Sequence, residues 1–348
     1  MIRWLWRGVA AVALVCVAIA VGLGVHASWS VSGWTILAAC ALGAAAAFVN
    51  SARRRRSLQA LAAAALLVLL IVRLAAARGP HVTMPTLPGG TSSRWLGRLV
   101  DEQDVSLLGA RALIRRWPVT HDERERLPQE MRAAYGEMRA AVGTFPSPVL
   151  NTLVRRQAPS GFDALVFEPR GGPSGAAVVF LHGFGGSFAL ECGLVAEAAQ
   201  AIGAFTVCPA TGIGGHWAGG DGERIVRATL DYVHARGIHR IYLAGLSNGA
   251  AGASALAPRF ASSLAGLVLI SGAPASGTDA SLPTLVVHGE HDRVASASAA
   301  RAFATRNHAR YAGFDGGHFV LLMRREETRA AIADWLTRRE AAVPRPAP

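Results

Sequence analysis

Residues 241–252 read IYLAGLSNGAAG. Ile241 to Ala244 is a β-branched and aromatic run of strand type, Gly245-Leu246-Ser247-Asn248-Gly249 interrupts it, and the small residues that follow suit a helix. A strand–turn–helix of this kind holds the residue at its sharp turn in a strained backbone conformation with its side chain above the sheet. Glycine on either side keeps neighbouring backbone from colliding. Ser247 is therefore expected to be presented as a nucleophile. Gly-x-Ser-x-Gly on its own is short and common, and an ordinary Gly-Ser turn has the same letters, so the surroundings decide.

The 200 residues around it alternate between apolar runs of strand length and Ala-rich helical patterns. Strands are expected at Ala176 to Leu181, Phe205 to Cys208, Arg240 to Ala244, Leu267 to Ile270, Thr284 to Val287 and Ala309 to Phe314. Helices are expected near Glu191 to Ala201, Glu223 to Arg236, Asn248 to Phe260, Ser296 to Asn307 and Leu321 to Arg339. That alternation, with short connections, points to an α/β class: a mostly parallel sheet with helices on both faces. Thr152 to Gln157 and Ala164 to Glu168, around APSGFD, could form an antiparallel edge.

Three further features bear on Ser247. VVFLHGFGGSF ends a strand in His182-Gly183-Phe184-Gly185-Gly186. Ester hydrolysis passes through a tetrahedral oxyanion, which backbone N–H groups stabilise by a few kcal/mol; those of Phe184 and Asn248 are the expected donors. No Lys-Ser/Thr and no complete dinucleotide pattern accompanies these glycines, which argues against a phosphate loop. TLVVHGEHDRV then ends another strand and offers Asp292, and His318 follows 26 positions later in FDGGHFVLL. A serine hydroxyl needs an imidazole base, and the imidazole needs a carboxylate to hold its tautomer and stabilise its cation. Asp315, and less so Glu290 and Asp279, are alternative acids. His288, His291 and His318 lack a metal-ligand spacing, so no metal is expected. His182 is read as shaping the loop.

On these motifs the chain resembles the α/β-hydrolase family over roughly Asn151 to Arg339, with the chain order Ser247, Asp292, His318 that the family uses. The resemblance implies an α/β-hydrolase fold and a serine hydrolase of the carboxylesterase or lipase kind. Ser247 would be the nucleophile, His318 the general base and acid, and Asp292 its orienting carboxylate. An ester or thioester would be cleaved through an acyl-enzyme without a cofactor. CPATGIGGHW, at 208–217, also looks like the esterase and polyhydroxyalkanoate-depolymerase branch. Gly272 to Pro283 leaves no room for the lid domain that many relatives insert there, which implies an open site with Phe188, His216 and Trp217 as walls. Acyl transfer on the same fold, or a non-catalytic membrane binding module, are the alternative readings.

The first 80 residues have a different character. They contain no Asp or Glu, and their only charges are Arg3, Arg7, Arg53 to Arg56, Arg73 and Arg78. Much of the net charge of +12 therefore belongs to this segment, and no basic helix interleaved with aromatics points to nucleic acid. Gly8 to Val25, Val31 to Val49 and Ser57 to Ala77 each approach the roughly 20 residues that cross a hydrocarbon core. The first could instead belong to a signal peptide, or the third to a buried helix. Arg3, Arg7 and the Arg53 to Arg56 run place the N-terminus and the second joint in the cytoplasm and everything beyond about Pro80 outside. A small-molecule or lipid ester and the membrane are the expected partners.

The expected divisions are a three-helix transmembrane region at 1–79, a linker and helical pre-domain at 80–148, an α/β-hydrolase domain at 149–340, and a disordered tail at 341–348. HVTMPTLPGGTSS, at 81–93, reads as linker, followed by helices around Arg94 to Trp117 and Glu123 to Val142. Cys192 and Cys208 fall near one edge of the expected sheet and could pair in an oxidising compartment, if their Cβ vectors converge.

Overall fold

Strands buried on both faces need helices above and below them. The computed structural model describes residues 2–27, 29–76, 81–89, 96–274 and 281–342. The upstream half comprises α1 (Ile2–Ala27), α2 (Val31–Ala45), α3 (Ala52–Ala76), β1 (Val82–Thr83), β2 (Thr86–Leu87), α4 (Leu96–Leu99), α5 (Glu102–Arg116), α6 (His121–Val142) and α7 (Val149–Leu153). There follow β3 (Phe162–Phe167), β4 (Ala176–Leu181), α8 (Ala189–Ala199), β5 (Phe205–Pro209), α9 (Gly220–His234), β6 (Arg240–Leu246) and α10 (Asn248–Leu256). The last elements are β7 (Gly266–Ile270), β8 (Thr284–Gly289), α11 (Ala297–Arg306), β9 (Arg310–Phe314), α12 (Val320–Met323) and α13 (Arg325–Ala341). Arg78, Asp279, residues 90–93 of the expected linker and 343–348 of the expected tail lie outside the described residues.

The strands form one sheet in the order β1-β3-β5-β4-β6-β7-β8-β9, with β2 also paired to β3. From β5 to β9 every pairing is parallel, whereas β3 runs antiparallel to β5, β1 and β2. Alternate residues of β4 feed two cores: Val178 and Phe180 join α6, α8 and α13, while Ala177, Val179 and Leu181 join α9, α10 and α11. Leu181 pairs with Gly245, Leu246 with Ile270, and Ile270 with Val287. The loops after β4, β6 and β8 therefore leave the sheet at one edge, where ligands of such sheets bind. This is the α/β-hydrolase arrangement, and only residues 271–283 separate β7 from β8.

The structure corrects two expectations about the upstream edge. Thr152 to Gln157 is not a strand: α7 ends at Leu153, Asn151 and Thr152 are buried, and APSG forms only an isolated bridge between Ala158 and Gly161. The antiparallel partners of β3 come instead from the stretch read as linker. There Val82, Met84 and Leu87 are buried while Thr83 is exposed, an alternation of strand type that the interspersed Pro and Thr conceal.

Of the three expected membrane spans, two have a counterpart by length and composition among the described residues. Val31–Phe48 and Ala52–Arg73 are long and apolar enough to cross a membrane, but the apolar run described in α1, Trp6–Gly22, is shorter. These helices are fastened to the elements downstream of them. Asp104 in the first turn of α5 accepts hydrogen bonds from Ser30 N–H and Oγ–H, both at 2.7 Å. Arg73 donates to the carbonyls of Arg98 (3.2 Å) and Val100 (2.8 Å) and lies 3.5 Å from Asp101.

Cys192 on α8 and Cys208 on β5 form a disulfide with Cα atoms 6.1 Å apart, while Cys16 and Cys40 are free. A bridge closing a loop of this length stabilises by roughly 3 kcal/mol on the chain-entropy account. Alkylation of denatured protein taken directly from cells should modify two cysteines without reductant and four with it. Four modified without reductant would mean that the pair is not oxidised in the cell.

Candidate active site

Ser247 sits at φ 54° and ψ −118°, a left-handed conformation costly for any residue but glycine. Its neighbours permit it. A Cβ at Gly245 would collide with the backbone of Gly249, and one at Gly249 with the carbonyl of Leu181, so the turn closes only with glycine at both positions. Ser247 N–H is anchored to Ile270 O at 2.8 Å, and Asn248 Nδ2 donates to Gly214 O at 2.8 Å.

From this turn Ser247 Oγ lies 3.1 Å from His318 Nε2, and His318 Nδ1 lies 2.8 Å from Asp292 Oδ2. The other Asp292 oxygen accepts from the N–H groups of Val294 (2.8 Å) and Ala295 (2.9 Å). Asp292 and His318 are 6 % and 4 % exposed, so the three groups meet where water competes little. The alternative acids are elsewhere. Asp315 is on the surface with His291 and Arg324, and Glu290 pairs with Arg301. His288 is buried behind Asp292, its Nε2 3.0 Å from Ala295 O, and burial lowers its pKa.

The glycine loop after β4 lies against the serine: a Cβ on Gly183 would come within 3.1 Å of Ser247 Cβ. Among the described residues, no backbone carbonyl takes up the N–H of Phe184 or of Asn248. His182 braces this loop from below. It accepts from Thr211 N–H at Nε2 (3.1 Å), which leaves Nδ1 to donate to Gly183 O (2.7 Å), and burial pushes its pKa down to about 4. The imidazole is therefore neutral at pH 7.

The expected walls are placed differently from one another. Phe188 borders the cavity above Ser247. Trp217 does not: it is 1 % exposed, its ring lies 5.1 Å from His182, and its Nε1 donates to His182 O at 2.9 Å. Its indole N–H needs a buried acceptor, which the loop backbone supplies. His216 is exposed beside it and does not border the cavity.

The site is less open than expected. A cavity of about 310 Å³ lies over Ser247 and His318, walled by α5 (Val105, Leu113), α6 (Met131), α8 (Leu194) and α12 (Leu321). Trp117, at the end of α5, sets its ring 5.7 Å from His318 and 5.8 Å from Phe184. Two buried carboxylates bind these upstream helices to the sheet domain. Glu123 forms the capping box of α6 with Thr120 and also accepts Phe319 N–H at 2.7 Å, next to His318. Glu102 accepts the first two N–H groups of α8, from Ala189 (2.8 Å) and Leu190 (3.1 Å), together with the hydroxyls of Tyr135 and Ser147. Thr-His-Asp-Glu at 120–123 announces the capping box in the sequence, but nothing local announces its second partner 196 residues away.

No protein-family model matches the chain, and no curated protein matches it. Among solved structures it is similar to Est1E from Butyrivibrio proteoclasticus, with 18% identity, 52% of this chain and 95% of that chain covered, and a TM-score of 0.46. It is also similar to XC6422 from Xanthomonas campestris, described as a serine hydrolase without lid, with 23% identity, 53% and 92% covered, and a TM-score of 0.41. For an esterase from Pyrobaculum calidifontis the values are 16%, 61% and 94%, with a TM-score of 0.44. The chemistry of the site rests on the distances above.

Glu191 on α8 also borders the cavity, with Oε2 unpartnered among the described residues. Burial, with Glu102 nearby, pushes its pKa up to about 8 from 4.5, and burial raises that of Glu102 as well. Between those values the native state holds a proton that the unfolded state has lost, so stability falls as pH rises through the window. His182 acts oppositely, but only between its value of about 4 and the ordinary 6.5. The melting temperature should therefore fall from pH 6.5 to 8, and Glu191→Gln should flatten that fall. An unchanged slope in thermal melts would show that Glu191 is ionised in the native protein.

Proposed function

We propose that the chain is a membrane-anchored serine esterase whose acid component is a medium-length acyl chain. The observation that carries this reading is the Ser247–His318–Asp292 relay of 3.1 and 2.8 Å beneath a cavity with apolar walls. In the proposed route His318 Nε2 takes the proton of Ser247 Oγ as it attacks the carbonyl carbon. Asp292 holds Nδ1–H and stabilises the imidazolium. The N–H groups of Phe184 and Asn248 receive the oxyanion, each contributing a few kcal/mol in the transition state. Collapse breaks the C–O bond and His318 returns the proton to the departing alcohol. Water then enters, gives a proton to His318 as it attacks the acyl-enzyme, and releases the acid and the serine hydroxyl.

Apolar walls suit an acyl chain, and their size suggests its length. A cavity of about 310 Å³ lies at the small end of ligand pockets, which run from roughly 300 to 1,000 Å³, and so favours an acyl chain of medium length. The two apolar helices support the membrane attachment. The disulfide supports placing the domain on the oxidising side, as the arginine distribution does.

Purified full-length protein should hydrolyse p-nitrophenyl esters, and Ser247→Ala should reduce kcat by roughly 10⁴-fold or more with an unchanged circular dichroism spectrum. Asp292→Asn should cost about 10⁴-fold, and Asp315→Asn at most about twofold, since a surface carboxylate away from the relay touches no reacting group. Wild-type turnover in Ser247→Ala sinks the reading, and the reverse pattern for the two aspartates moves the acid.

Chain length is tested separately. Each methylene buried is worth about 0.8 kcal/mol, a few-fold in kcat/KM, so the constant should climb from acetate to about decanoate and then level off. Gly109 on α5 borders the cavity, and a Cβ there meets nothing within 4 Å. Gly109→Phe should fill that space and lower the decanoate-to-acetate ratio by about tenfold or more. A ratio equal to wild type would place the acyl chain elsewhere.

A further inference from the structure

Outside α1–α3, the large apolar side chains most open to solvent among the described residues are Leu153, Val154, Phe184 and Ile213, at 46, 56, 47 and 48 % exposure. Leu153, Phe184 and Ile213 border the cavity over Ser247, and Val154 follows Leu153, so the four form an apolar rim at its mouth. Exposed Arg155 and Arg156 come directly after them. A contiguous apolar rim beside cationic side chains marks an interaction surface rather than scattered surface apolarity.

The attachment of its supports indicates which surface covers this rim. Leu153 and Val154 end α7, which packs on α4, and α4 packs on α3. Another cavity wall is α5, whose first turn is fastened to the α1–α2 joint through Ser30 and Asp104. Arg73, near the end of α3, grips the carbonyls on either side of α4's end. A Cβ on Gly33 would come within 2.6 Å of Asp104 Oδ2, so this junction depends on close approach. The Leu153–Val154 side of the mouth and the α5 wall of the cavity are thus each tied to the apolar helices. The lining runs along α5 from Val105 to Trp117, roughly 18 Å at 1.5 Å per residue, from the attached end to the imidazole.

We propose that the Leu153–Val154–Phe184–Ile213 rim rests on the bilayer that holds α2 and α3, and that Ser247 receives through it the acyl chain of a lipid ester in that bilayer. Arg155 and Arg156 meet anionic headgroups. This rests on the esterase reading and adds the source of the substrate. The reaction is the hydrolysis already written, with water as co-reactant. Apolar area and basic charge together set the strength of such interfacial contact.

The test uses full-length protein reconstituted in phosphatidylcholine vesicles, with and without phosphatidylglycerol. The substrates are a soluble butyryl p-nitrophenyl ester and a long-chain acyl umbelliferyl ester dissolved in the bilayer. The variants Val154→Glu and Arg155→Glu/Arg156→Glu lie outside the cavity lining. Wild type should hydrolyse both esters, and faster on the bilayer ester when phosphatidylglycerol is present. Val154→Glu should slow the bilayer ester about tenfold and the soluble ester less than about twofold. The arginine pair variant should lose the phosphatidylglycerol enhancement. Gly33→Leu, remote from the rim, should also slow only the bilayer ester if the attachment positions the mouth. Equal effects on both substrates, or wild-type activity confined to the soluble ester, would overturn the proposal while leaving the esterase reading intact. So would a Val154→Glu variant that changes only the oligomeric state, which would assign the rim to a second copy of the chain. Hydrolysis of neither ester would remove both readings.

Discussion

The turn at Ser247 is the constraint on which the site depends. A non-glycine residue at φ 54° costs of order 1–3 kcal/mol and persists only when its surroundings over-determine it. Here Gly245 packs on Gly249, Gly249 on the end of β4, and Ser247 N–H is tied to Ile270. The same packing that holds the strain brings β4, β6 and β7 to one edge. The glycine loop, the serine and the two N–H groups beside it therefore share one small volume. Trp217 and His182 are buried beneath it as supports, their polar atoms spent on the loop backbone.

The helices upstream of β3 complete the site rather than merely covering it. A buried carboxylate is tolerable when several donors converge on it, and here the donors are drawn from both parts. Glu102 caps α8 from another helix, and Glu123 holds the residue after His318. Trp117 then closes one side of the imidazole. A chain with no insertion between β7 and β8 obtains its cover from the other direction, through α5 and α6. The two parts should accordingly gain and lose order together.

Legibility in the sequence depended on the range of the interactions. The central strands and the order Ser247, Asp292, His318 were readable because strand period, turn glycines and motif order are local or ordinal properties. The left-handed serine was readable for the same reason. The strand at Val82 was not, because Pro85 and Pro88 and the threonines carry a linker's composition over a strand's alternation. Thr152 to Gln157 failed in the opposite sense, its β-branched residues belonging to the end of α7. Trp217 looked like a wall because a Gly-rich loop with an aromatic usually faces solvent, whereas its N–H is satisfied inside. Trp117 and Glu102 gave no sign of their roles, and Glu123 announced only its cap, since their other partners lie far away in sequence.

The most direct measurement is covalent. Solubilised full-length protein treated with a fluorophosphonate should take up a single phosphonyl group, located on Ser247 by peptide mass spectrometry and absent from Ser247→Ala. Labelling should fall sharply in His318→Ala, because only a serine with its base in place attacks phosphorus at neutral pH. Folded protein that remains unlabelled, or carries the adduct on another residue, would contradict the account.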